Sequence, residues 1–126
     1  MVLVSYPFET PDRSCTLWDP ALRVGQTYVA LAQEFGRMTG LPTGLTENEQ
    51  IGGSDVELAE FQRFTQALYD QYCSTNSFVL HGLLRGFLLT SIVMLERGGG
   101  SLTRHLERED GLLDDLDAYV RYMPAD

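Results

Sequence analysis

The longest apolar stretch of the chain runs from Phe78 to Leu95. A helix with this sequence would be apolar on nearly every side, which is typical of a core helix or of a membrane span. About 18 residues can cross a bilayer, but His81 and Arg85 stand near the middle of the stretch, where a charge in lipid is costly. The pattern therefore predicts a buried core helix over residues 78–95 and no membrane insertion.

The segment before this stretch has the apolar spacing of an amphipathic helix. Ser54 and Glu57 match a capping box, with a hydroxyl at the N-cap and a carboxylate three positions later. Residues 73–77 are poor in helix formers, but no Pro or Gly interrupts them. We therefore expect one long or kinked helix over residues 54–97, with a short turn at 73–77 as the alternative. The apolar positions of its first half are Leu58, Phe61, Phe64, Leu68 and Tyr72.

Residues 19–40 form another predicted helix. Asp19 suits the N-cap, and Pro20 suits the first helical position, where its missing N–H costs nothing. Gly40 suits the position after the last turn. The following residues, 41–53, are rich in Gly and acidic side chains and predict a loop. The helical apolar positions are Leu22, Val29, Leu31, Ala32, Phe35 and Met38.

The two ends of the chain predict shorter elements. Residues 1–18 favour a β-hairpin with a turn at residues 10–13, and Pro7 favours an edge strand. Gly98–Gly100 ends the central helix, and residues 101–126 form an acidic tail with a short helix at Leu112–Tyr122. The predicted fold class is mainly α. We expect a single domain of residues 1–126, a small helical bundle around helix 78–95 with a short N-terminal hairpin.

The net charge limits the kinds of macromolecule that the chain is expected to bind. The chain has 18 acidic and 9 basic residues, for a net charge of −9. Nucleic-acid binding needs clustered cations, so we expect none. An acidic surface instead attracts a basic protein, because complementary fields speed association. The sequence also contains no Lys, which excludes Schiff-base chemistry on a Lys and a P-loop Lys.

The spacing of the two cysteines does not indicate a metal site. Cys15 and Cys73 stand far apart, and no Cys-x-x-Cys occurs, so we expect no metal and no cofactor. The first residues lack the basic and apolar regions of a signal peptide. A cytoplasmic location with free thiols is therefore the expectation.

A polar stripe is the sharpest chemical feature. On one continuous helix, Asp70, Ser74, Ser77, His81 and Arg85 would share a face. In a catalytic interpretation His81 is the general acid or base and Arg85 holds an anion. In the alternative interpretation, which we favour, both are satisfied in a buried network, with Arg85 paired to an acid such as Glu96 or Glu34. The ligand-binding positions that accompany the catalytic interpretation are Trp18, Tyr28, Phe61, Tyr72, Asp70 and Ser77.

Two further patterns have modest weight. Gly82, Gly86 and Thr90 recur every fourth residue and would let another helix approach closely. That helix could belong to the same chain, which we favour, or to a second copy in a homodimer. The mixed charges of residues 104–110 predict a solvated surface.

Three short stretches carry a resemblance to a known family. They are Thr-Leu-Trp-Asp-Pro at 16–20, Gly-Leu-Pro-Thr-Gly-Leu at 40–45, and His81 followed by Gly86-Phe87. In this arrangement the chain resembles short actinobacterial proteins classified as a domain of unknown function, over roughly residues 6–99. The resemblance implies no activity.

Because the resemblance implies no activity, the function has to be inferred from the residues alone. We expect a non-catalytic acidic partner-binding protein, such as an immunity-type inhibitor or an accessory factor. The alternative is a small cofactor-free enzyme or ligand-binding protein of a biosynthetic pathway, in which a pocket at His81 and Arg85 supports isomerase- or cyclase-type proton transfer. A homodimeric module built on residues 78–95 is the third hypothesis.

Overall fold

The structure is a computed structural model that describes residues 4–125. It contains four α-helices: α1 (Leu22–Thr39), α2 (Leu58–Ser74), α3 (Phe78–Arg97) and α4 (Leu116–Tyr122). It also contains four strands: β1 (Phe8–Glu9), β2 (Thr16–Trp18), β3 (Leu45–Asn48) and β4 (Gly53–Val56). Short 3₁₀ turns at Leu106–Arg108 and Leu112–Asp115 lead into α4.

The strands form one mixed sheet in the order β2-β1-β4-β3. β1 pairs antiparallel with β2 and parallel with β4, while β3 and β4 form a second antiparallel pair. The fold is therefore α+β, and the prediction of a helical bundle with only a hairpin was wrong. Strands of two to four residues are too short to show an alternating pattern, and β3 and β4 occupy sequence dominated by turn formers.

Strand β4 overturns two local predictions. Ser54 is not an N-cap, because its hydroxyl lies inside the sheet and shares a 2.8 Å hydrogen bond with the Tyr6 hydroxyl. β1 is an interior strand although Pro7 precedes it. Pro7 lies just before the paired residues and takes part only through its carbonyl, which accepts the Ser54 N–H at 2.9 Å, so its missing N–H costs no strand hydrogen bond. Gly53 permits this approach, since a Cβ there would lie 2.0 Å from the Pro7 oxygen.

Helix α1 begins later than predicted. Ala21 is its N-cap, and Asp19 instead uses its backbone N–H to bind the Pro124 carbonyl at 2.6 Å. The predicted end is confirmed. Gly40 has a left-handed φ of 71° and donates its N–H to the Gly36 carbonyl.

Residues 58–97 form two packed helices rather than one, and residues 54–56 belong to β4. The chain turns at residues 75–77, where Thr75 and Ser77 are extended. The Ser77 hydroxyl accepts the Leu80 N–H at 3.1 Å and caps α3. The weak helix formers thus supply a cap and a reversal, since Ser and Thr side chains compete for backbone hydrogen bonds.

The core is aromatic where the sheet meets α1 and α3. Phe8 stacks on Trp18 at 5.3 Å, and Tyr28 meets both rings edge-on. Tyr28 in turn stacks on Phe87 at 4.6 Å. α3 is long and apolar enough to cross a membrane by composition, but half of its apolar window is buried inside this fold, which is consistent with a soluble protein.

The acidic tail is part of the core. Leu112 is fully buried and Met123 nearly so. Arg97 at the end of α3 donates to the Leu17 carbonyl at 2.8 Å and to the Met123 carbonyl at 2.7 Å, which joins β2 to the end of α4. The tail therefore closes over the C-terminal half of α3.

Candidate functional site

Tyr72, His81 and Arg85 form one cluster. Because α2 and α3 pack as a hairpin, the His81 ring stacks on Tyr72 with centroids 4.2 Å apart. His81 Nε2 lies 2.8 Å from the Tyr72 carbonyl oxygen, and because a carbonyl oxygen only accepts, Nε2–H is the donor. The other ring nitrogen lies 3.9 Å from Asp110.

Arg85 completes this cluster through the tail. Its Nη2 lies 2.9 Å from Asp115 Oδ2, so the predicted partners Glu96 and Glu34 were wrong. Arg85 also approaches the Tyr72 hydroxyl at 3.4 Å. The hydrogen bond to Asp115 raises the pKa of Arg85. Sequence spacing within α3 could not reveal this pair, because the tail reaches α3 only through tertiary folding.

The remaining predicted ligand residues are dispersed. Asp70 binds His105 Nε2 at 2.8 Å, and Ser77 is the cap of α3. Phe61 is fully buried. Trp18 and Tyr28 belong to the aromatic core, where burial raises the pKa of Tyr28. The polar stripe therefore does not exist as one face, and these side chains do not enclose a pocket around His81.

A buried ionic cluster escaped the sequence analysis. Glu109 is 6% exposed and receives two hydrogen bonds from Arg104, at 2.8 and 2.7 Å. The Tyr69 hydroxyl also donates to Glu109, and the His105 N–H donates to that hydroxyl at 2.7 Å. Residues 104–110 were predicted to be a solvated surface, which is wrong for Glu109. Their mixed charges gave no signal, because a buried ion pair and a surface pair look alike in sequence.

Electrostatics favour the ionised form of Glu109. The hydrogen bonds from Arg104 lower the pKa of the Glu109 carboxyl, and they outweigh the desolvation that would raise it. Burial and the contact with Glu109 raise the pKa of Tyr69. The phenol therefore stays a neutral donor, and the cluster fixes the tail against α2.

An acid-rimmed cavity lies beside this cluster. It has a volume of about 430 Å³ and lies between the C-terminal half of α3 and the tail. Four carboxylates and Arg104 line it. Glu109 is paired with Arg104, whereas Glu96, Asp114 and Asp117 form no ion pair with another residue of 4–125. Its apolar lining consists of Ile92, Leu95, Leu102, Leu113 and Leu116. We call this feature the acidic cavity.

A second concavity is apolar, and we call it the apolar groove. It measures about 490 Å³ and lies where α1, α3 and α4 meet. Among the described residues that line it there is one charged side chain, Arg23, and no carboxylate. Gly86 and Thr90 form part of its wall, and Tyr119 approaches Gly86 from α4. The close-packing pattern of the sequence therefore meets α4 at Gly86, while Gly82 is exposed.

The family of the chain follows from a match over residues 4–125 to a family model described as "family of unknown function (DUF6086)". The chain belongs to this family. The predicted resemblance to a family of unknown function is thus confirmed, and the match extends through the tail rather than ending near residue 99. No curated protein and no solved structure matches the chain.

Proposed function

We propose that this chain is a non-catalytic binding protein for a basic protein partner, and that the acidic cavity receives a cationic side chain of that partner. The observation that supports this is the chemistry of the cavity. Three of its four carboxylates have no cationic partner within residues 4–125, whereas the fourth, Glu109, is paired with Arg104.

The cavity suits an arginine side chain. An Arg or Lys stem packs on apolar surface while its charged end reaches polar groups at the rim. Leu95, Leu102 and Leu116 supply such a floor. Arg fits better than Lys, because its planar guanidinium can contact two carboxylates at once and is less strongly hydrated.

The charge of the chain supports the same partner. A net charge of −9 produces a field that accelerates the approach of a basic protein and repels nucleic acid. Inhibitors of the immunity type and accessory factors are the classes that this design fits, and a cytoplasmic location is proposed with it.

The alternative, a cofactor-free enzyme using His81 and Arg85, has less support. His81 donates to a backbone carbonyl and Arg85 is paired with Asp115, so both groups are engaged within the fold. A proton-transfer site needs a group free to reach substrate. Neither residue lines the acidic cavity or the apolar groove.

Site-specific photo-crosslinking tests the proposal. A photoreactive residue at Ser101, on the rim of the cavity, is expected to capture one basic protein in the native host. The same residue at Gln50, in the β3–β4 turn, is the control. Capture of the same proteins from both positions, or of none from Ser101, would refute the proposal.

Binding to the captured protein then allows a charge-matched comparison. Asp114→Asn with Asp117→Asn should weaken binding by about 10–100-fold, since desolvated charge pairs contribute a few kcal/mol. Glu47→Gln with Glu49→Gln removes the same charge away from the cavity and should change affinity less than about threefold. Equal losses in the two variants would show that net charge, and not the cavity, determines binding.

A further inference from the structure

An exposed apolar face on α1 and α3 carries a second inference. Phe78, Val79 and Leu83 of α3 are 89%, 67% and 64% exposed. The face also includes Val24, Leu31 and Met38 of α1, which are 51%, 43% and 44% exposed. We call these six residues the α1–α3 face.

The two helices place these residues on one side of the molecule. Tyr28 contacts Phe87 and lies within hydrogen-bond distance of Ser91, whereas Phe35, two turns later in α1, contacts Phe87 again. α1 and α3 therefore run in opposite directions, and the end of α1 lies towards the start of α3. The apolar groove lies between the two helices and continues the face towards α4.

The size of the face is close to what an interface requires. Large side chains have areas on the order of 150–250 Å², so these exposed fractions correspond to roughly 600 Å² of apolar surface. That is the upper end of the ~300–600 Å² patches of typical monomers. A stable interface buries about 800 Å² per partner, and the groove walls, including Thr27 and Gly86, supply most of the difference.

Charge identifies the occupant of the face. The basic partner proposed for the acidic cavity would gain nothing here, because the described residues of the groove include no carboxylate. Two copies of a chain with a net charge of −9 repel each other, unless they meet where acids are absent. The lining of this groove is such a place, and Glu34, the one acid on α1, is paired with Arg37 at 2.6 Å.

The spacing on α1 is self-complementary. Val24, Leu31 and Met38 are seven residues apart, so they lie on one side of the helix, two turns from one another. In an antiparallel pairing about a twofold axis at Leu31, Val24 of one copy meets Met38 of the other, and Leu31 meets itself. An isologous dimer requires this kind of match.

We infer that a second copy of this chain covers the α1–α3 face and forms a twofold dimer centred on Leu31. The acidic cavities stay on the outside of this dimer, so each remains open to its own basic partner. The inference uses a surface different from the one that carries the proposed function, and either can fail without the other.

Sedimentation velocity over about 1–500 µM is the first measurement, because by mass action the fraction of dimer rises with protein concentration. The expected result is a doubling of mass with rising concentration. A monomer throughout the series would overturn the dimer, while photo-crosslinking from Ser101 would still test the partner site.

The second test places opposite charges at the proposed twofold axis. Leu31→Glu and Leu31→Arg should each weaken the dimer at least about 100-fold, because each brings two like charges together. Mixed in equal amounts, the two variants should restore a heterodimer. Leu106→Glu is the control, since Leu106 is 69% exposed outside the face and should leave the dimer intact.

Two outcomes would contradict the twofold arrangement. One is a mixture of folded Leu31→Glu and Leu31→Arg that stays monomeric. The other is dissociation by Leu106→Glu to the same extent. Circular dichroism of each variant verifies the fold, and the wild-type concentration series decides for the dimer even if a variant fails to fold.

Discussion

The two halves of α3 have nearly the same apolar composition but opposite surroundings. Leu88, Leu89 and Leu95, in the C-terminal half, are fully buried by the sheet, the other helices and the tail. Phe78, Val79 and Leu83, at the N-terminal end, are among the most exposed large side chains of the described chain. Hydrophobicity along a helix therefore predicts that it needs cover, but not whether the same chain supplies that cover.

The largest expected effect separates the two halves directly. Leu88→Ala should lower the free energy of unfolding by about 2–5 kcal/mol, because it leaves a cavity in a closed core. Leu83→Ala removes the same atoms from a side chain that is 64% exposed and should change stability by less than about 0.5 kcal/mol in the monomer. Urea unfolding at low protein concentration measures both, and equal losses would contradict the distinction.

The tail that covers the C-terminal half depends on Glu109. Glu109→Gln should cost about 2–4 kcal/mol, because it removes the negative charge beside Arg104 and replaces one of the two acceptor oxygens that Arg104 and the Tyr69 hydroxyl use with an NH₂ donor. Arg104→Met should cost a similar amount by leaving the carboxylate buried alone. A thermal melt of each variant is the measurement, and a wild-type midpoint in both would show that the cluster does not hold the tail.

Low pH should weaken the contact between Glu109 and Arg104. Arg104 lowers the pKa of Glu109, so the folded state binds this proton less tightly than the unfolded chain, whose carboxyl has a pKa of about 4.5. The contribution of Glu109 is complete above that pKa and is lost as the pH falls through the lower pKa of the folded state. Between neutral pH and about pH 3 the wild type should therefore lose more stability than Glu109→Gln. Parallel losses in urea titrations would contradict this.

Arg85 lies at the boundary between the two halves of α3 and should have a smaller effect. Its partner Asp115 is 61% exposed, so the pair is screened by solvent. Arg85→Met keeps the apolar stem and should cost at most about 1 kcal/mol. The loss of stability should be measured at low and at high salt. We expect it to be smaller at high salt, since the pair is screened, whereas a buried pair would be insensitive to salt.

A similarly small effect is expected for His81. His81→Phe preserves the stack on Tyr72 and removes only the hydrogen bond to the Tyr72 carbonyl. The cost should be about 0.5–1.5 kcal/mol, the value of one hydrogen bond. A loss of several kcal/mol would mean that His81 holds the helix turn by more than this bond.

The sequence predicted those elements whose signals are local. Gly40 marks the end of α1 because a left-handed residue is required there, and the apolar spacing of α3 depends on no other segment. Ser54 misled the prediction, since its capping signature is identical in a strand whose hydroxyl bonds Tyr6. Within the candidate sites, His81 and Arg85 do come together with Tyr72, but through a chain reversal that spacing alone could not distinguish from a kink.

The tail is a second region whose helix could be predicted from the sequence but whose position could not. The short helix at Leu112–Tyr122 could be anticipated, because its own apolar periodicity predicts it. The position of that helix could not, because Arg97 fixes it through the carbonyls of Leu17 and Met123. The acidic cavity forms only when the tail packs against α3, so no motif in the sequence predicts it.

The hydrogen bond from Asp19 to Pro124 determines when folding can finish. It joins residues from opposite ends of the described chain, and Arg97 ties the same two regions together. Contacts so distant in sequence slow the closing step. On the ribosome, β2 can pair with β1 early, but the Asp19 N–H would lack its acceptor until residue 124 had left the exit tunnel. A chain shortened by Met123 and Pro124 would never gain these contacts, because it lacks the two carbonyls to which Arg97 and Asp19 donate.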